Sequence, residues 1–149
     1  MVGITLSTYN SNFLNTILFK TNQKISSEQF IDLLKRSTLA ERRPVGENVR
    51  IEKMLHHGNI LVTAWDGNLL VGVSRALSDF SFCCYLSDLA VDKTYQHKGI
   101  GKELIKLTHQ VAGEDDCVLV LLAAPKAVDY YPKVGMDQFK DCFITKRKK

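Results

Sequence analysis

The 149 residues are 45% hydrophobic and 24% charged, the balance of an ordinary globular domain, which excludes disordered and fibrous classes. No apolar run approaches the roughly 20 residues that cross a bilayer as a helix, so no membrane partner is expected. The formal net charge is +4, and the tail Lys146, Arg147, Lys148 and Lys149 accounts for all of it. A basic tail without interleaved aromatics or a matching basic face is weak ground for nucleic-acid binding, and a solvated, frayed end is the expectation.

A chain of this length buries roughly two thirds of the surface it exposes when unfolded, so a single domain over 1–149 is expected, with residues 146–149 as its tail. MVGITLSTYNSNFL has no basic stretch followed by an apolar core, which does not read as a secretory signal and points to a cytoplasmic protein. Cys83, Cys84, Cys117 and Cys142 form no CxxC pair, and adjacent residues on a strand face opposite ways. Reduced cysteines and no metal site are expected.

Along the chain, GITLSTYN alternates weakly, as an edge strand would. Ser27 precedes EQFIDLLKRS, whose Phe30, Ile31, Leu33 and Leu34 form a helical apolar face. After a turn around Pro44 and Gly46, a second helix starts near Glu47 and is stopped by Gly58. NILVTAWDGNLLVGVSRAL is two β-rich runs around Asp66-Gly67-Asn68, a hairpin signal. With FCCYLSDLAV it makes an antiparallel meander.

A third helix follows in KGIGKELIKLTHQVAG, with Ile100, Leu104, Leu107 and Val111 on one stripe. The nearly continuous apolar run CVLVLLAA predicts a strand buried on both faces, paired in parallel across that helical crossover. Pro125 suits the first turn of a short helix, KAVDYYPKVG, ended by Gly135. A last strand over FKDCFITK would complete a mixed sheet with helices on both faces.

The segment YQHKGIGKEL opens the third helix. Helix-start amides carry partial positive charge and lack intrahelical partners, and glycines let a ligand approach the backbone, so this is an anion-binding arrangement. A P-loop fails, because Gln96 stands where its first glycine belongs and Glu103 follows Lys102. A dinucleotide-binding fingerprint fails too, with Leu104 at its third glycine and a meander before it.

Gln-x-x-Gly-x-Gly after LSDLAVD resembles the acetyl-CoA pyrophosphate loop of the GNAT N-acetyltransferase superfamily. The β-meander, VLVLLAA and YYPKVGM, which is similar to that family's Phe-Tyr-x-x-x-Gly-Phe segment, follow in the family's order. The likeness covers about residues 59 to 145, and GVSRALSDFSFCCYLSDLAVDKTYQHKGIGKEL is similar to plant plastid serotonin N-acetyltransferases and their bacterial relatives. It implies an α/β (α+β) GNAT fold with a mixed, mostly antiparallel sheet of six to seven strands. Acetyl-CoA would be the co-substrate, with backbone contacts at Leu89, Ala90 and Val91 and the pyrophosphate on Gln96, His97, Lys98, Gly99, Ile100, Gly101 and Lys102. A homodimer is the family-based expectation.

A primary alkylamine has a pKa near 10.4, so it must lose a proton before it can attack a thioester. Asp88, Asp79 and Glu41 are candidate acceptors of that proton, directly or through water, and Asp88 is the one expected among the catalytic residues. Asp88 could equally bond where strands part, and Asp79 could be a turn residue. The resemblance places the acid that protonates the leaving thiolate on Tyr131, leaves Tyr130 as packing, and departs from the family at Pro132. His56 and His57 suit a helix C-terminus. Arg42, Arg43 and Trp65 are candidates for shaping substrate access. The expected acceptor is a small arylalkylamine or polyamine; a protein amino group and a non-catalytic acyl-CoA sensor are the alternatives.

Overall fold

The computed structural model describes residues 16–148. Five strands form one sheet in chain order: β1 (Ile17–Thr21), β2 (Ile60–Asp66), β3 (Leu69–Ser78), β4 (Cys83–Val91) and β5 (Val118–Val120). The first four pair antiparallel and β5 pairs parallel to β4. Helices α1 (Ser27–Ser37) and α2 (Asn48–His57) cover one face, and α3 (Ile100–Ala112), the crossover between β4 and β5, covers the other.

Two cores follow from this layering. Phe30, Leu33, Leu34 and Ile51 bury against Trp65, Leu70, Val73 and Ala90 on the first face. Ile100, Leu104 and Leu107 meet Val62, Ala64, Val71 and Leu86 on the second. Gly72 permits that second contact, because a Cβ there would stand 3.0 Å from Leu104 Cδ1 and 3.1 Å from Ile100 Cγ2. Helix α1 starts one residue earlier than its sequence signal suggests. Its N-cap is Ser26, whose hydroxyl accepts from the Gln29 amide at 3.1 Å, while the Ser26 amide donates to Gln29 Oε1 at 3.0 Å.

Among the described residues the sheet has five strands, where six to seven were expected. GITLSTYN lies outside the described residues, and FKDCFITK forms no strand. A strand needs a partner offering a matching row of amides and carbonyls, and β5 is only three residues long. Phe139, Phe143 and Ile144 are accordingly exposed. Nor is β5 buried on both faces: Val118 is 59% and Val120 49% exposed, because β5 is an edge strand with only Leu119 and Leu121 packed towards the core. The predicted helix over KAVDYYPKVG is two 3₁₀ turns, Pro125–Ala127 and Pro132–Val134, the second closed by Gly135 at φ 93°. Pro132 lacks the amide that a continuous α-helix would require there. Strand β1, over ILFKT, was not anticipated.

Candidate active site

Strands β4 and β5 stay paired only at Cys83, Cys84 and Tyr85, opposite Val118, Leu119 and Val120. Beyond Tyr85, β4 runs on to Val91 with that edge open among the described residues, a length of about 20 Å at the usual strand rise. The Asp92 amide donates to the Val71 carbonyl on β3 at 2.9 Å. Since backbone groups alternate sides along a strand, Leu89 and Val91 turn theirs to the open edge and Ala90 turns towards β3. The side chain of Gln96 donates to the Val91 carbonyl at 3.0 Å from the open side. The three expected backbone contacts therefore divide: Leu89 and Val91 face the cleft, while Ala90 is paired with Val73 and its methyl is buried in the core.

The open edge leads to the start of α3. Gly99 is its N-cap at φ 86°, a left-handed conformation that disfavours other residues, and it makes no side-chain cap. The first intrahelical bond runs from the Glu103 amide to the Gly99 carbonyl at 3.1 Å. Hence the amides of Ile100, Gly101 and Lys102 have no intrahelical acceptor. His97, at φ 61°, and Lys98 are exposed in the same loop, and Lys102 is exposed on the first turn. An uncapped helix start with three cationic or protonatable side chains fits the pyrophosphate of acetyl-CoA. We expect Gly99→Val, which forces a branched side chain into left-handed backbone, to weaken acetyl-CoA binding about tenfold or more. Calorimetric titration of the folded variant checks this.

The loop is anchored by residues that were not singled out from sequence. Asp92 accepts from the Thr94 amide and hydroxyl, both at 2.8 Å, and pairs with Arg36 of α1, which also donates to the Leu70 carbonyl at 2.7 Å. Burial alone would push the Asp92 carboxyl up, but the Thr94 donors and Arg36 together hold it below its ordinary value. Tyr95 donates to Asp66 at 2.7 Å, and the Lys98 ammonium lies over its ring.

At the other end of the split, β4 carries a bulge. Arg75 pairs with Asp88 and Ala76 with Leu86, leaving Ser87 as the extra residue. A bulge resets the two-residue alternation, so Asp88 shares a face with Arg75, although Leu86, two residues earlier, lies in the opposite core. The fully buried Asp88 carboxylate is gripped by the Nε groups of Arg43 and Arg75, one on each oxygen. Arg43 also donates to the Ser87 carbonyl at 2.7 Å, and Arg75 to Ser87 Oγ at 3.0 Å and the Met54 carbonyl at 3.1 Å. Asp88, the expected acceptor of the amine's proton, is thus held inside the fold by two guanidinium groups. It is shielded from solvent, and an amine would have to displace an arginine to reach it.

Beside the bulge opens a cavity of about 720 Å³, walled by Glu41, Arg42, Arg43 and Pro44, by Arg50 and Met54 of α2, and by Arg75, Tyr85, Ser87 and Arg147. Of the three carboxylates considered from sequence, only Glu41 lines it. Asp79 is a turn residue: its carboxylate accepts from the amides of Ser81, Phe82 and Cys83, which lower its pKa to about 2. Arg42 and Arg43 stand at the cavity as anticipated, but Trp65 does not; it is buried, donating to Thr63 at 2.8 Å. The described residues of the tail are exposed, as a solvated end would be, and Arg147 among them stands at the cavity wall. His56 and His57 are exposed in the last turn of α2, outside that wall.

Tyr131 is half-buried and packed against the α3-side core, with its ring edge-on to Tyr130 at 5.3 Å. Burial pushes its phenol above the ordinary tyrosine value, and the charge of Arg42 pulls the other way. Tyr130 is more than packing. A Cβ at Gly101 would stand 2.5 Å from its hydroxyl, so Tyr130 reaches the start of α3.

The sheet is thus parted beside a bulge, with an uncapped helix start at one end of the opening and a walled cavity at the other. The chain belongs to the acetyltransferase (GNAT) family, whose sequence profile matches residues 27–136. It is 36% identical over 69 residues to GCN5-related N-acetyltransferase 2, chloroplastic, of Arabidopsis thaliana, a match that covers 46% of this chain and 27% of that protein. The chain thus spans under a third of that relative's length. Among solved structures it superimposes with a TM-score of 0.72 on a GNAT-family acetyltransferase of Streptococcus pneumoniae, 25% identical, over 89% of this chain and 99% of that one. An aminoglycoside N-acetyltransferase, AAC(6')-Iy, solved in complex with CoA, shares the fold at a TM-score of 0.69 and 14% identity, over 89% and 95% of the two chains.

Proposed function

We propose that this protein transfers the acetyl group of acetyl-CoA directly to the primary amine of a small molecule. One observation carries the reading: the open edge of β4 joins the uncapped start of α3 to the cavity at the Ser87 bulge, so carrier and acceptor approach one point from opposite ends. Bound acetyl-CoA supplies a thioester whose carbonyl carbon the amine attacks. The amides of Ile100, Gly101 and Lys102, with Lys98 and Lys102, hold its pyrophosphate, and Leu89 and Val91 offer backbone partners to its pantetheine arm.

Glu41, the carboxylate of the cavity wall, accepts the ammonium proton directly or through one water. Tyr131 donates a proton to the departing sulfur. Its raised pKa keeps the phenol protonated, so the donor is present at neutral pH and is lost only once the pH passes a value above about 10. The rate at saturating acetyl-CoA should therefore rise with pH as the amine is freed and show no basic limb below about pH 10. A limb with an apparent pKa between about 8 and 9 would show that another group is the donor.

Of the two acceptor classes expected from sequence, the polyamine is disfavoured, because a chain of ammonium groups would meet the arginines of the wall. Calorimetry with acetyl-CoA, followed by thiol release across small amines and protein acceptors, tests the reading. Turnover of a small amine supports it, turnover of proteins alone supports a protein acetyltransferase, and binding without any turnover supports a sensor.

A further inference from the structure

We infer that the acceptor carries an oxyanion, a carboxylate or a phosphate, in addition to the amine that is acetylated. The inference rests on the acetyl-transfer reading and on the charges of the cavity. Five arginines, Arg42, Arg43, Arg50, Arg75 and Arg147, face one carboxylate, Glu41. A site for an uncharged or polycationic amine would gather carboxylates; this wall gathers guanidinium groups.

Their commitments differ. Arg43 and Arg75 share Asp88, and Arg50 pairs with Glu47 at 3.2 Å. Arg42 and Arg147, both exposed, make no ion pair among the described residues and line the same wall. With Asp88, Glu47 and Glu41 all set against these five arginines, two positive charges remain uncompensated there. Like charges gathered around a cavity repel unless a ligand supplies the counter-charge, and a guanidinium fork matches carboxylate or phosphate oxygens in pairs. Arg43 and Arg75, fixed by Ser87 and Met54 as well as Asp88, are held in place before any ligand arrives. The acceptor then lies with its ammonium towards Glu41 and the Ser87 bulge and its anion against Arg42 and Arg147.

The test compares kcat/KM for aminobutyrate and aminoethyl phosphate with that for butylamine, phenylethylamine and putrescine, by thiol release from acetyl-CoA. An oxyanion-bearing amine is expected to be favoured by about 10- to 100-fold, the range of a charge-assisted hydrogen-bonded pair. Preference for aminobutyrate identifies a carboxylate, and preference for aminoethyl phosphate a phosphate. In Arg42→Gln/Arg147→Gln the preference should fall to within about threefold, whereas Arg42→Lys/Arg147→Lys should keep part of it. Neither arginine has an ion-pair partner to lose among the described residues, so thermal melts should match the parent. Equal or better turnover of butylamine or putrescine, no turnover of any of the five amines, or a preference that survives the double glutamine variant overturns the inference. Failure to bind acetyl-CoA at all would instead remove the acetyl-transfer reading beneath it.

Discussion

Tyr131→Phe is expected to lower kcat by about 10² to 10⁴, the range typical of losing a general acid, with acetyl-CoA affinity little changed. The substitution keeps the ring and its contacts with the core and removes only the hydroxyl. A thiol with a pKa near 8.5 leaves tolerably without help, which puts the expected loss towards the lower end of that range. Tyr130→Phe should behave differently. Its hydroxyl lies at the start of α3, against Gly101, so its loss should appear in the KM for acetyl-CoA and leave kcat within a few fold. Steady-state kinetics at saturating acceptor separate the two, with thermal melts to confirm folding. Full kcat in Tyr131→Phe with a collapse in Tyr130→Phe would exchange their roles, and full activity in both would end the assignment of a tyrosine acid.

The parts of the site that were readable from sequence are local. The glycines of KGIGKEL mark a helix start that a ligand can approach, the spacing of Ile100, Leu104 and Leu107 marks the helix itself, and both depend only on neighbours in the chain. The cavity is not local. Arg43, Arg75 and Asp88 come from a loop and two strands, and the Ser87 bulge decides which face Asp88 takes. A signal did exist: GVSRALS and LSDLAV each place one charge inside an apolar run, opposite in sign, on strands already expected to be neighbours. A buried pair is what such a pattern requires, since an isolated charge in a core is too costly. The apolar run CVLVLLAA misled for a related reason. Its composition suits an edge strand as well as a central one, and the difference lies in whether residues 137–148 cover it, which they do not as a strand.

That buried pair sets the second large effect. Asp88→Ala should destabilise the protein by about 3 to 5 kcal/mol, the cost of leaving buried charge without its partner. Here two guanidinium groups are stranded at once, with the Arg75 side chain only 6% and that of Arg43 20% exposed. Domains of this kind have about 5 to 15 kcal/mol in total, so the fall is a substantial share of the fold's stability. It should appear as a drop in Tm of about 6 to 20 °C, since each kcal/mol shifts a domain of this size by about 2 to 4 °C. Salt should change the drop little, because screening is weak for a buried pair. Asp88→Asn separates anchoring from catalysis. It retains the volume and one acceptor oxygen, so an anchoring Asp88 predicts a lower Tm, with the folded fraction still turning over within about tenfold of the parent and with a raised KM for the acceptor as Arg43 and Arg75 lose their fixed positions. Loss of kcat by a factor of about 10³ in a variant whose melt is unchanged would restore Asp88 as the group that takes the amine's proton. Conversely, Glu41→Gln, which alters an exposed residue of the cavity wall whose side chain has no partner to strand among the described residues, should leave the melt in place and lower kcat. The contrast between a carboxylate that holds the site together and one that works in it is readable by measuring both quantities on both variants.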